Sequence, residues 1–294
     1  MSLFERAVRF CVLTAGLVAF SGSAAAARED AGLEAATHEF HIHSAIDEDA
    51  GGGSLPGLPA APAPSTITLQ REVSLRKLPM NFLHDQKDMW LFPTRLTKAK
   101  YWLPTLAIAG GTAGLIAADP QVMPHFRQTD IFHGFNRVWG TTATGATIAV
   151  VPAVFYGVSL LRKDSYGQGT ALFAGESVAD DVVLMVVVKA ITRRQRPTEL
   201  PPAGPYSDTF FHSNGSVFGK GTSFPSGHAM MSFSVATIFA RRYREHRWVP
   251  YVAYGVASAI AFSRITTGAH FPSDVFLGAG LGYAIARYDV LHGH

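Results

Sequence analysis

From residue 101 onward the chain is a succession of long apolar segments, and no other feature so narrows the ways it can fold. Tyr101–Ala118 and Thr141–Leu161 contain no charged residue. Ala171–Thr192 is apolar but holds Glu176, Asp180 and Asp181, and Ala229–Ala240, Trp248–Phe262 and Val275–Ala286 follow. These segments are too long for strands and lack strict alternation, so they predict six helices. Frequent Gly and Ala suit close helix packing. The expected fold class is therefore all-α, a bundle of about six helices, membrane-associated and with its functional site at one end.

Charged residues are only 16% of the 294-residue chain, where about 25% is usual for a soluble domain. The mean hydropathy of +0.15 is nevertheless too low for a chain made wholly of membrane helices. A formal charge of +3, with no arginines interleaved among exposed aromatics, is not a nucleic-acid signature. By length the first two apolar segments suffice to cross a bilayer. Three carboxylates in the third are costly in lipid unless they face protein or water. Positive residues gather before the first segment (Arg95, Lys98, Lys100), between the second and third (Arg162, Lys163) and between the fourth and fifth (Arg241, Arg242, Arg244, Arg247). In a six-span bundle these regions share one side, the cytoplasmic one.

The amino terminus reads differently. Arg6 and Arg9, the apolar run Phe10–Phe20 and the small residues Ala24–Ala27 have the form of a secretion signal over residues 1–27. Export would place the following segment outside, which disagrees with the loop charges by one crossing. Either the signal is misread, or one apolar segment does not span, or the helices form a soluble or surface-bound bundle. The single cysteine, Cys11, lies within the expected signal, so the mature chain is expected to use no thiol chemistry. Residues 28–75, rich in Gly, Pro and Ala, read as a disordered linker, and His38, His41 and His43 read as part of that tail. Residues 76–100 mix Phe82, Trp90 and Phe92 with charges and read as an amphipathic lead-in to the helical domain, 101–294.

Three short stretches carry the chemistry. "SFPSGHAMMSF" (223–233) puts Pro225, Ser226, Gly227 and His228 at the mouth of an apolar helix. Such a start suits an N-cap, and its free N–H groups also favour an anion. "KAITRRQRP" sets Lys189 and Arg196 seven residues apart, about two helical turns, with Pro197 as the stop. Arg193 and Arg194 read as a solvated basic helix end; Lys189, inside the apolar run, does not. "SRITTGAHFPSD" supplies Arg264, and His270 four residues before Asp274. A carboxylate so placed fixes the imidazole tautomer and leaves the other nitrogen as nucleophile or base. Together these groups fit a tetrahedral oxyanion with a nucleophile on one side and a proton donor on the other. No carboxylate cluster for a metal pair accompanies them.

The ordered pattern K-x6-RP, PSGH, SR-x5-H-x3-D resembles the three-part signature of the type 2 phosphatidic acid phosphatase and vanadium haloperoxidase superfamily. Lys189, Arg196, Pro197, Pro225–His228, Ser263, Arg264, His270 and Asp274 all match it, and the resemblance covers residues 100 to 290. It implies that His270 attacks phosphorus to form a phosphohistidine, Asp274 orients it, and His228 protonates the leaving oxygen. Lys189, Arg196, Ser226, Gly227 and Arg264 would hold the phosphoryl oxygens. No metal or other cofactor is expected. The expected substrate is a phosphorylated lipid, with a small phosphate ester and a soluble secreted acid phosphatase as the alternative; a haloperoxidase or a non-catalytic membrane scaffold fits less well. Residues between Thr198 and Thr222 are expected to form a substrate-selecting lid. The expected location is the cell envelope, facing the periplasm.

Overall fold

Helices form where the apolar segments lie. A computed structural model describes residues 73–96, 99–140, 143–216 and 222–291, and among them there is no strand. The helices are α1 (Leu78–Trp90), α2 (Phe92–Arg95), α3 (Ala99–Arg127), α4 (His133–Trp139), α5 (Ala143–Leu161), α6 (Ser165–Thr192), α7 (Gly227–Arg242), α8 (Trp248–Thr266) and α9 (Pro272–Ala284), with a closing π turn at Ile285–Val290. The six expected helices are α3 and α5–α9. The lead-in forms α1 and α2, and α4 was not expected. The expected signal, His38, His41, His43 and nearly all of the expected linker lie outside the described residues.

α7 is the hub, packed against α5, α6, α8 and α9. Its crossing with α9 is close enough to demand glycine: a Cβ on Gly282 would stand 2.1 Å from the Met230 carbonyl oxygen. Ser234 on α7 donates to the Gly282 carbonyl at 2.8 Å. α3 lies on the far side of α9, and α1 lies on α6. There Gln86 donates to Asp180 at 2.8 Å. Glu176, Asp180 and Asp181 are all buried, so the carboxylates of the third apolar segment face protein, as their cost in lipid requires.

The two ends of the bundle differ. α6 begins at Asp164, whose side chain accepts from the Tyr166 and Gly167 amides at 3.0 Å, a standard N-cap. The Tyr166 hydroxyl donates to the Arg242 carbonyl at the end of α7. Arg242, expected among the loop charges, is instead buried: it donates to Thr170 at 2.7 Å and stacks 4.2 Å over the Tyr166 ring. Arg162, Lys163, Arg241, Arg244 and Arg247 remain exposed at this end. α7 has 16 residues, so its start lies about 24 Å away at 1.5 Å per residue. At that opposite end the starts of α7 and α9 meet the ends of α6 and α8.

Among the described residues one helix, Tyr101–Arg127, is long and apolar enough to cross a membrane. Trp102, Leu103 and Leu106 on it are exposed. In α5 the described apolar stretch, Val150–Leu161, is shorter than a span.

Candidate active site

The site is built from its floor. Pro272 opens α9, and Asp274, in the first turn, accepts from the Phe271 amide at 2.8 Å through Oδ2. The Asp274 carbonyl accepts from the Ser226 amide at 2.9 Å, which ties the start of α9 to the start of α7. Oδ1 of Asp274 accepts from Arg194 Nη1 at 2.6 Å. Oδ2 also accepts from the Ser223 hydroxyl and lies 3.6 Å from His270 Nδ1. Ser223 Oγ is nearer that nitrogen, at 3.3 Å. With its proton given to Asp274, the Ser223 oxygen is an acceptor for Nδ1–H. The Nδ1 face of His270 is therefore occupied, and Nε2 is the nitrogen left for chemistry.

Arg194 is not the solvated helix end that the sequence suggests. It is 1% exposed. Besides Asp274 it donates to Ser273 Oγ at 2.7 Å, Asp119 Oδ2 at 2.7 Å and Thr209 Oγ1 at 2.9 Å. The Phe271 and Phe210 rings flank its guanidinium at 3.9 and 4.5 Å. Arg193 behaves as expected, exposed at the helix end. It adopts the left-handed conformation (φ 42°) that stops α6. That stop comes before Pro197, so Lys189 and Arg196 do not share a helix face. Lys189 comes from the last turn of α6, and Arg196 from an extended residue beyond it (φ −85°, ψ 149°).

Above the floor is a group of cations. Lys189 is buried and donates to the Thr222 carbonyl at 3.3 Å. Burial, and then Arg196, lowers its pKa to about 8. Arg264, also buried, donates to the Trp139 carbonyl of α4 and to Ser263 Oγ, each at 3.1 Å. Burial, and then Arg196, lowers it to about 10. Arg196 has Glu199 beside it; the Glu199 carboxylate accepts from the Arg196 amide at 3.1 Å.

The two histidines sit in this positive field. Burial lowers His270 to about 4; Asp274 opposes this, while Arg196 and Lys189 add to it. Burial lowers His228 to about 3, helped by Arg264, His270, Lys189 and Arg196. Asp274 keeps its charge. Burial pushes its carboxyl up, but Arg194, His270 and Ser223 together hold it below the usual range.

Ser226 is the N-cap of α7, yet its side chain caps nothing. Among the described residues its hydroxyl is buried without a hydrogen-bond partner, and so is Nε2 of His228. A Cβ on Gly227 would stand 2.3 Å from Met185 Sδ, and one on Gly145 would stand 2.7 Å from His228 Nε2. A side chain at Gly227 would therefore have to push Met185 aside, and one at Gly145 would press on the His228 ring. Two partnerless polar atoms, the first-turn amides of α7 and three clustered cations form a cradle for a compact anion.

Lys189, Arg196, Ser226, Gly227, His228, Arg264, His270 and Asp274 thus converge at one end of the bundle. The sequence reading missed Ser223, Asp119, Arg194, Ser273 and the Trp139 carbonyl. Among the described residues no group of three or more His, Cys, Asp or Glu is arranged to hold a metal ion.

Parts of the chain are similar to known proteins. A model of the PAP2 superfamily matches residues 170–290. A lipid A 1-phosphatase of Porphyromonas gingivalis is 36% identical over 86 residues, 29% of this chain and 19% of that protein. A lipid A 4'-phosphatase of Bacteroides thetaiotaomicron is 32% identical over 95 residues, 32% of this chain and 40% of that protein. A decaprenylphosphoryl-5-phosphoribose phosphatase of Mycobacterium tuberculosis is 30% identical over 124 residues, 42% and 58% of the two chains. The chain thus spans less than two thirds of each of these relatives. A crystal structure of a transmembrane PAP2 type phosphatidylglycerolphosphate phosphatase from Bacillus subtilis aligns with 72% of this chain and 91% of its own, at 20% identity and a TM-score of 0.37.

Proposed function

We propose that this chain, whose residues 170–290 match a model of the PAP2 superfamily, is a metal-independent phosphatase that hydrolyses a lipid phosphomonoester or diphosphate through a phosphohistidine. The observation that carries this reading is the placement of His270, with its Nδ1 against Ser223 and Asp274 and the cation cradle around it. Nε2 of His270 attacks phosphorus. Lys189, Arg196 and Arg264 neutralise the equatorial oxygens, with the Ser226 hydroxyl and the first-turn amides of α7 donating to them. His228 gives its proton to the leaving oxygen. Water then attacks the phosphohistidine with His228 as base.

At a pKa of about 3, His228 would be a poor acid near neutral pH. Burial depresses it first, and the cations of the cradle lower it further. A bound phosphate dianion offsets those cations and raises it, so the substrate itself charges the proton donor.

A lipid substrate is favoured by the exposed apolar face of α3 and by the substrates in the relatives' names. The location is a membrane of the cell envelope, reached by export, with the site facing the periplasm. What supports the sidedness is the separation between the site and the exposed basic residues at the far end of α6 and α7. Residues 198–222 select the substrate.

Hydrolysis of a panel of lipid phosphates and soluble phosphate esters tests the reading. It should proceed in EDTA and be inhibited competitively by vanadate, with lipid phosphates preferred. Loss of activity in EDTA that a divalent ion restores would refute metal independence. A preference for soluble esters would favour an acid phosphatase.

A further inference from the structure

Asp119 takes no part in the three-part motif and lies on α3, outside residues 170–290. It is fully buried. Its Oδ2 accepts from Arg194 Nη2 at 2.7 Å and from Ser273 Oγ, and its Oδ1 accepts from the Ser273 amide at 3.3 Å. Arg194 is therefore held between two carboxylates, with Nη1 on Asp274 at 2.6 Å and Nη2 on Asp119. Both carboxylates are 0% exposed. In so dry a setting each charge acts strongly on the next.

Without a second anion, Arg194 would offset much of the Asp274 charge. His270 would then face Lys189 and Arg196, with Arg264 and His228 close by, and little to oppose them. The Ser223 hydroxyl could not supply the missing charge. We propose that Asp119 is a positioning residue for the reaction: it anchors Arg194 and shares its charge, so that Asp274 keeps enough of its own to orient His270 and support it as a nucleophile. The inference rests on His270 being the nucleophile and adds a residue on α3 to the machinery.

The test is rapid-quench measurement of phosphoenzyme formation by the full-length protein from a labelled aryl phosphate, across pH. An aryl leaving group departs with little help from His228, so the measurement isolates the nucleophile. In Asp119→Asn, formation should slow about tenfold, with KM within about twofold of wild type. The acid limb of the profile should move down by about one pH unit, because an unshared Arg194 disfavours the imidazolium form of His270. Asp119→Glu, which restores the charge, should recover most of the rate and the limb. Wild-type rate and limb in Asp119→Asn would overturn the inference, as would a loss of rate with the limb unmoved, which marks mere loosening. If Asp119→Asn does not accumulate as folded protein, Ser273→Ala decides. It keeps both charges but removes a hydroxyl that holds Asp119, and should move the limb the same way by less; an unmoved limb there would also overturn the inference. A wild-type enzyme that forms no phosphoenzyme would instead remove the nucleophile reading on which the inference stands.

Discussion

Two arginines two residues apart, Arg194 and Arg196, end up in opposite environments. Arg194 lies in the floor with two carboxylates, two hydroxyls and two aromatic rings around it. Arg196 lies in the cradle with other cations, and Glu199 is the carboxylate whose charge bears on it most. The floor is paired and closed. The cradle gathers like charges beside a serine hydroxyl and a histidine nitrogen that have no partner among the described residues. Grouping cations in this way is unfavourable until an anion arrives. The floor therefore gives rigidity, and the cradle holds the unmet demand that a phosphate satisfies. The left-handed Arg193 makes the difference: it ends α6 and sends the two following arginines to different sides.

The comparison can be broken from either side. In the cradle, His228→Ala should slow phosphoenzyme formation from a lipid phosphate by roughly 10²- to 10⁴-fold, and formation from an aryl phosphate far less. Equal losses on both substrates would remove the general-acid role. In the floor, Arg194→Met leaves two buried carboxylates facing each other. It should destabilise the protein by about 3–5 kcal/mol, read by denaturant unfolding, whereas Arg196→Met should change stability little and weaken phosphate binding. The reverse pattern would show that the two regions have been confused.

Smaller changes sharpen the picture. Gly145→Ala would press a methyl group on the His228 ring. It should lower lipid phosphate turnover by about tenfold, since a small misplacement of a catalytic group is costly, while leaving stability near wild type. Phosphate binding near pH 6 should take up protons, because an anion raises the depressed pKa values of His228 and His270. Calorimetry in buffers of different ionisation enthalpy reads the uptake directly, and His228→Ala should diminish it.

Much of this was legible in the sequence. Helix existence followed from apolar length, and the cradle residues from the three-part motif and the superfamily signature it resembles; the seven-residue spacing of Lys189 and Arg196 misled, because α6 stops at Arg193. The floor was not legible. Asp119 follows the apolar run that ends at Ala118, and α3 continues through it to Arg127, which sets the carboxylate against the buried Arg194. Arg194 looked like a helix-end charge because its partners lie 75 and 80 residues away in the chain. Ser223 stood in full view beside the PSGH motif, but only the fold brings it to His270. Its partners are long-range, and spacing along one segment carries no trace of them.

The central claim is that His270 is the nucleophile and His228 the proton donor. Each variant should be quenched in acid-free denaturant after mixing with labelled aryl phosphate, and the protein-bound label counted. His228→Ala should accumulate an acid-labile phosphoenzyme, and His270→Ala should hold none. Label retained by His270→Ala and absent from His228→Ala would contradict the account.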